Sequence, residues 1–561
     1  MSKRRLLTIV SFIMAAIMIL LTAGCQGGSG TTATTAGQTG TAATSGSGST
    51  TATSSGSSLI SDKKITLKVV TTEWTGITVG NDMPVYQELE KRTNIHLEFT
   101  LLPASSPLDK FNLIMGSGEL PDLIGYGNQE ALVKYGMQGA LIPLQDLIDK
   151  DAPNIKKAFS DPLAGEQLPY KLNTTAQLTA SDGNIYSIPL FSCSNAIGAV
   201  YAIRTDWLQK LNLSVPTTSD EFYNVLKAFK EKDPNGNGPA DEIPFGAGAG
   251  GKTATILPII NAFDAHMDLY IDAKDDTVKY GPVEASYKEG LAFLNKLYTE
   301  GLLEEDYLTA TRDQWLARTA NSQTGFMFVW PASGIGGANS GLQKVNTSYK
   351  FEPMAPLKST SGAQYKDTYT AGNYMVGRNA ITISNKYPDE TMKYLDYCFS
   401  EEGNTLVSYG VEGLDYTLVD GKPVYTDRIL HNPDGKDPET AAISDGINWT
   451  ALPYQIGWDP QVQQKKDVAP WTVKAWDLYK ESGMVEAPFP TLQYTESELA
   501  KKTQIVTEIN TYKDAMIDKF IMGIEPIDKF DEFVENINKA GLPELLQILN
   551  SSYAKYKTIA K

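Results

Sequence analysis

The stretch Asp233-Pro-Asn235-Gly-Asn237-Gly-Pro239-Ala-Asp241-Glu242 sets oxygen-bearing side chains at positions 1, 3, 5 and 9 of a tight, glycine-containing turn. That spacing wraps a hard cation such as calcium, with Asp233, Asn235, Asn237 and Asp241 joined by the Pro239 carbonyl. An EF-hand places a bidentate glutamate at position 12, where this chain has Pro244, so Glu242 at position 10 must serve instead. A metal-free Asx-rich turn draws on the same residue types and is the competing reading. With no coordination position left open for a substrate, such an ion would be a structural staple.

Directly downstream, Gly246-Ala-Gly-Ala-Gly-Gly251-Lys252-Thr253 satisfies the phosphate-loop spacing G-x-x-x-x-G-K-[ST]. Such a loop follows a long buried strand, whereas only Ile243-Pro244-Phe245 precedes this one. It reads as a glycine-rich loop beside a cleft, and nucleotide hydrolysis is set aside. A third group is aromatic: Trp74, Tyr126, Trp330, Trp449, Tyr454 and Trp458, placed at strand ends and in loops. The apolar C–H faces of sugar rings lie well on indole and phenol rings, while carboxylates such as Glu73 take the hydroxyls. A lone tryptophan is more often core than platform. Trp74 and Trp330 escape that default because each falls where a strand should end.

The elements that must position these groups follow from periodicity. Ile65, Leu67 and Val69 alternate as a strand, Pro84 opens a helix, and Ile95, Leu97, Phe99 and Leu101 alternate again. Ser106-Pro107 starts a helix with Leu108, Phe111, Ile114 and Met115 on one side, and Asp122-Leu123-Ile124 is a short third strand. Strand, helix, strand, helix, strand predicts a parallel sheet, with ligand beyond the carboxyl ends of its strands. Glu73, Trp74 and Tyr126 follow the first and third strands and point at that cleft. Further on, Thr218 with Glu221 caps a helix bearing Phe222, Val225, Leu226 and Phe229. Residues 325–330 form an apolar strand. The last long helix starts at Thr495 with Glu498, buries Ile505, Ile509, Tyr512, Met516 and Phe520, and stops at Gly523.

Composition narrows the function classes. Asp and Glu outnumber Lys and Arg by 66 to 49, for a net charge of −17. That argues against nucleic acid or an anionic membrane surface as the main partner. Three histidines, His96, His266 and His431, leave little for a histidine-ligated metal or a histidine-based triad. Cys193 and Cys398 could pair, but both sit in apolar surroundings and read as buried thiols, while Cys25 has another use.

Lys3, Arg4 and Arg5 precede an apolar run over residues 6–21, then Thr22-Ala23-Gly24-Cys25. This is a secretory signal, and its end resembles the bacterial lipobox, with Thr22 where leucine is usual. The resemblance implies lipidation of Cys25 and a place on the outer face of the cytoplasmic membrane; an uncleaved membrane anchor is the alternative. Residues 25–61 are nearly all Gly, Ser, Thr and Ala, a flexible tether of about 30–35 Å root-mean-square span.

Taken in order, Leu89-Glu-Lys-Arg-Thr-Asn-Ile95, Ser106-Pro-Leu-Asp-Lys-Phe111, Gly116-Ser-Gly-Glu-Leu-Pro-Asp122, Asp182-Gly-Asn-Ile-Tyr-Ser-Ile-Pro189 and Arg204-Thr-Asp-Trp-Leu208 resemble the ABC-importer extracellular solute-binding proteins, family 1, carbohydrate type. Ala380-Ile-Thr-Ile-Ser384 and Ser400-Glu-Glu-Gly403 are similar to that family's return strand and following helix. The resemblance implies an α/β fold of the type II periplasmic-binding-protein class: two lobes joined by hinge strands, with a helical carboxyl-terminal third. Lobe 1 would hold residues 62–189 and 374–434, lobe 2 residues 190–373 and 435–561, with crossings near Pro189, Asn373 and Asp434. The cation loop looks like the calcium loop of alginate-oligosaccharide-binding members, and Trp330 is similar in place to a sugar-stacking aromatic of maltose-binding relatives. The implied role is capture of a carbohydrate, without catalysis, by a lipid-anchored monomer that hands it to the permease subunits of an ABC importer. A surface-anchored glycosidase and a sugar-sensing subunit docking to a signalling receptor are the alternatives.

Overall fold

The computed structural model describes residues 59–560 apart from 74–76, 78, 127, 161–172, 193–198, 239–240, 248–250, 360, 363–373, 437, 448–454, 457–469 and 482–488. Its strands are β1 (Ile65–Thr72), β2 (Ile95–Leu102), β3 (Leu123–Gly125), β4 (Ile188–Ser192), β5 (Val200–Arg204), β6 (Ile243–Phe245), β7 (Leu269–Asp272), β8 (Thr277–Tyr280), β9 (Thr324–Val329), β10 (Phe351–Met354), β11 (Tyr374–Ile381), β12 (Tyr416–Val419), β13 (Lys422–Tyr425) and β14 (Gln455–Ile456). The first sheet runs β14-β4-β11-β3-β1-β2 and the second β10-β5-β9-β6; β7-β8 and β12-β13 are hairpins.

In the first sheet β1 is parallel to β2 and β3, with Ile65 beside Ile95 and Val69 beside Leu123. Alternation puts Leu67, Val69, Leu97, Leu123 and Ile381 into the core on one face. Val70, Leu102, Ile124 and Ala380 enter a separate core on the other, with Phe111 and Tyr186. Both faces are therefore covered, as its parallel strands require, although β11 runs antiparallel to β3 and β4. The helix Pro107–Gly116 buries Phe111 and Met115, but Leu108 is exposed and Ile114 half-buried, a narrower apolar side than the sequence suggests.

The second sheet is packed as tightly. Every residue of β5 and β9 is buried. Arg204 ends β5 with no exposed surface. Its guanidinium grips Asp206 at 2.6 and 2.8 Å and Ser322 Oγ at 2.9 Å, and it lies 4.6 Å from the Trp207 ring. A buried guanidinium survives because its fork is matched by carboxylate, hydroxyl and ring.

The chain passes from the first sheet to the second between β4 and β5 and returns between β10 and β11. Beyond Asp434 it stays with the first sheet: Ala441, Ala442 and Ile447 join the core that holds Leu67, and β14 pairs with β4. The next described helix, Pro470–Glu481, belongs to the second sheet, where the Tyr479 hydroxyl accepts the Tyr201 N–H at 3.1 Å. The chain is thus still with the first sheet at Ile456, past the expected crossing near Asp434. A two-residue strand, Gln455–Ile456, is too short to show an alternating pattern in the sequence.

The helix Glu496–Met522 starts at Thr495 in a complete capping box with Glu498, and stops at Gly523, whose φ of 71° suits a residue without a β-carbon. Its buried residues are Ile505, Ile509, Ile517, Phe520 and Ile521, whereas Tyr512 and Met516 are only half-buried. Over 27 residues the 3.6-residue period rotates the buried stripe away from a fixed set of positions. The helices Phe530–Lys539 and Leu542–Ile559 complete the carboxyl-terminal third. Cys398 is a buried free thiol whose ionisation is pushed up by burial; Cys193 lies outside the described residues.

Candidate functional site

The strand ends of both sheets carry expected site residues. Glu73 directly follows β1. Its N–H donates to the Leu102 carbonyl at 2.9 Å, and its Oε1 accepts the Ala104 N–H at 3.0 Å. The carboxylate thus braces the loop after β2 at the carboxyl end of two parallel strands. Tyr126 follows β3, half-buried, its ring centroid 5.1 Å from that of Phe111.

Trp330 directly follows β9 and keeps 48% of its surface exposed, although every residue of the strand before it is buried. Its carbonyl accepts the Gly334 and Ile335 N–H groups at 2.8 and 3.3 Å, closing a π-helical turn over Pro331–Ile335. Turns of this kind are frequent at functional sites. Behind it the Trp471 ring packs over Gly336, a contact that no spacing rule marks. Trp74, Trp449 and Trp458, and with them Tyr454, lie outside the described residues, as does Cys25. A recess of about 680 Å³ lined by Val215, Pro353, Met354, Val473 and Leu478 opens on the outer strand β10. It is flanked by that strand and the helix Pro470–Glu481, not by the end of β9 where Trp330 stands.

The glycine-rich loop is not a phosphate site. Lys252, which would have to reach a phosphate, is bound at 2.6 Å by Asp518 and at 3.0 Å by the Asp514 carbonyl. The lysine instead ties the helix Gly251–Asn261 to the carboxyl-terminal helical third.

The cation loop is tight and oxygen-rich. Asp233, Gly236 and Gly238 take φ of 44°, 75° and 87°, so two of the three left-handed positions are glycine. Asp241 accepts Asn235 Nδ2 at 3.0 Å and Asn237 Nδ2 at 3.0 and 3.1 Å. Gln323, the residue before β9, adds a bond to Asp241 at 3.0 Å. Burial pushes the Asp241 carboxyl up, but these bonds outweigh it and hold it below the usual carboxylate range. Asp233 Oδ1 takes the Gly236 N–H at 2.8 Å.

Glu242 differs from its neighbours. Its Oε1 is buried with no hydrogen-bond partner among the described residues, and burial together with the charges of Asp233 and Asp241 pushes its carboxyl above the usual range. A buried carboxylate oxygen facing like charges is costly unless something positive compensates it. Among the described residues no three His, Cys, Asp or Glu side chains converge as a ready metal cluster, and Pro239 is outside them. The all-oxygen donor set and the orphaned Glu242 oxygen nonetheless fit a hard cation.

Sequence reasoning missed the groups that hold this loop in place. Besides Gln323, Lys210 Nζ donates to the Asp233 and Pro234 carbonyls at 3.2 and 3.0 Å. The Tyr349 hydroxyl donates to the Asn235 carbonyl at 3.4 Å, while its ring sits 5.1 Å from the Arg204 guanidinium. None carries a local motif, because each comes from a distant part of the chain.

The chain matches the family described as bacterial extracellular solute-binding protein over residues 80–405. It is 27% identical over 494 residues to the fructooligosaccharide ABC transporter substrate-binding protein FusA of Streptococcus pneumoniae, covering 85% of this chain and 88% of FusA. FusA has been solved with kestose, with a TM-score of 0.71, and as an EF-hand mutant with fructo-nystose. Lipoprotein LipO of Bacillus subtilis is 28% identical over 531 residues, 89% of this chain and 95% of LipO. The solved alginate-binding protein AlgQ2 without calcium ion is 30% identical, with a TM-score of 0.74, covering 88% of this chain and 99% of its own. With the family match spanning more than half its length, and the fold shared with these structures, the chain belongs to the bacterial extracellular solute-binding proteins.

Proposed function

We propose that this chain is the substrate-binding component of an ABC importer, capturing an oligosaccharide between two lobes and delivering it to separate permease subunits. The half-exposed Trp330 at the end of an otherwise buried strand is the observation that carries the reading. A half-exposed indole just past a strand end suits a sugar ring, and FusA and AlgQ2 are described as binding carbohydrates. Glu73 and Tyr126 form the facing wall, with Trp74, Trp449 and Trp458 as further contacts. Lobe 1 is built on the first sheet and lobe 2 on the second, with the third crossing after Ile456. Ligand touching both halves favours the closed form by its differential affinity, and no bond is made or broken.

Asp233, Asn235, Asn237, the Pro239 carbonyl, Asp241 and Glu242 hold one calcium ion. Bound there, it supplies charge compensation for the buried Glu242 oxygen and fixes the turn that leads into β6. Lipidation at Cys25 keeps the monomeric body outside the cytoplasmic membrane.

The test is isothermal titration of the protein with neutral fructo-oligosaccharides and with uronic-acid oligomers, followed by analysis of the recovered sugar. Micromolar or tighter binding of one class with the sugar recovered intact supports the reading. Absence of binding across both classes, or cleavage of the sugar, rejects it.

A further inference from the structure

Three polar contacts join the two halves away from the crossing strands. Gln177, on the short helix Thr174–Leu178, is 5% exposed. Its carbonyl accepts Gln493 Nε2 at 2.7 Å and its Oε1 accepts the Thr491 N–H at 3.2 Å. Beside it Glu130, on the helix Gln129–Met137, meets Lys502 Nζ at 2.7 Å. The Lys502 side chain is only 17% exposed, against 48% for Glu130, and its ammonium stands 5.1 Å from the Tyr494 ring, so the shelter lies on the lysine side of the pair.

The residue before Glu130 is wedged into the strands that cross. Gln129 is buried; its Oε1 accepts Ser187 Oγ at 2.8 Å, just ahead of β4. β11 breaks register with β4 between Met375 and Asn379, and Gly377 in that bulge has φ of 67°. A β-carbon at 377 would collide with the Gln129 side chain. Gln129 thus fills a bulge in one crossing strand while bonding the residue that leads into the other, and bulges kink a strand where it must re-aim.

We propose that Gln177, Gln493 and the Glu130–Lys502 pair form a non-covalent joint beside the crossing strands, through which residues 491–502 set how readily the halves close on ligand. The inference rests on the two-lobe reading and goes beyond it. These are positioning residues and none touches ligand. Tightening or loosening such a joint changes the free-energy difference between open and closed forms, and hence apparent affinity, without altering a ligand contact.

The test uses E130K, K502E and the E130K/K502E charge swap in the full chain, read first by hydrogen exchange without ligand. Each single variant is expected to speed exchange in both segments, 174–178 and 491–502, and the swap to restore it. Affinity for the best-binding oligosaccharide of the titration panel is expected to change at least threefold in each single variant and to return in the swap. Unchanged exchange, exchange that rises on one side of the joint only (129–137 with 174–178, or 491–502), or affinity that stays at wild type while exchange rises, overturns the proposal. Should a single variant fail to fold, Gln493→Leu removes the bond to the Gln177 carbonyl and is read against the same outcomes. If no sugar binds the wild-type protein the functional reading fails, while the exchange arm still decides whether the joint couples the halves.

Discussion

Replacing Trp330 with alanine should weaken oligosaccharide binding about tenfold while leaving the fold nearly untouched. An indole side chain presents up to about 250 Å², and Trp330 keeps 48% of its surface exposed, so about 120 Å² remains for a ligand to cover. A sugar ring lying on one face hides about half of that, and at ~25 cal/mol per Å² this comes to about 1.5 kcal/mol, close to one decade in Kd. The exposed half contributes little to folding, so the melting temperature should move by only a degree or two. Isothermal titration of wild type, W330A and W330F with the same oligosaccharide measures the effect. W330F, which keeps a smaller ring, should fall between the other two. Wild-type affinity in W330A, with the protein folded, would remove Trp330 from the site and take away the observation on which the sugar reading stands.

Calcium removal should lower the melting temperature, and calcium alone should restore it; in Glu242→Gln, which discharges the orphaned carboxylate, most of the calcium dependence should vanish. An unchanged melting curve in EDTA would leave the loop a metal-free turn. A second prediction concerns Asp415, fully buried, its carboxyl pushed up to about 6 by burial and by the neighbouring Asp445 charge, with which it shares the Arg428 guanidinium. Because this folded value lies above the unfolded one of about 3.9, its contribution is complete below about pH 4 and is lost as pH rises through 6. Asp415→Asn, which mimics the protonated form, should therefore gain stability relative to wild type between pH 4.5 and 7.5; a difference that does not vary with pH would refute the assignment. Finally, Arg204→Met leaves the Asp206 carboxylate and Ser322 without their buried partner and should cost about 3–5 kcal/mol in denaturant unfolding. A loss under 1 kcal/mol would mean the guanidinium is replaceable by packing alone.

Much of this architecture is legible from local pattern. Alternation at Ile65, Leu67 and Val69 gave a strand with the expected buried side, and the Thr495–Glu498 box and Gly523 bound a helix whose ends follow from capping chemistry. The apolar run ahead of Trp330-Pro331 marks a strand, and β9 ends there, at Val329. What pattern could not supply depends on distant partners. The pairing of β14 with β4, the bulge at Gly377 filled by Gln129, and the joint from Gln177 to Gln493 all bring together segments separated by many residues. Each uses polar or glycine residues that also occur in ordinary loops. The phosphate-loop spacing shows the converse: a local match whose lysine is already bound by Asp518.

The central claim is capture by closure without chemistry. Small-angle scattering of the protein with and without a bound oligosaccharide, with the sugar recovered afterwards, tests it most directly. The radius of gyration should fall on binding and the sugar should come back unchanged. An identical scattering curve at saturating ligand, or a shortened sugar in the recovered sample, would contradict the account.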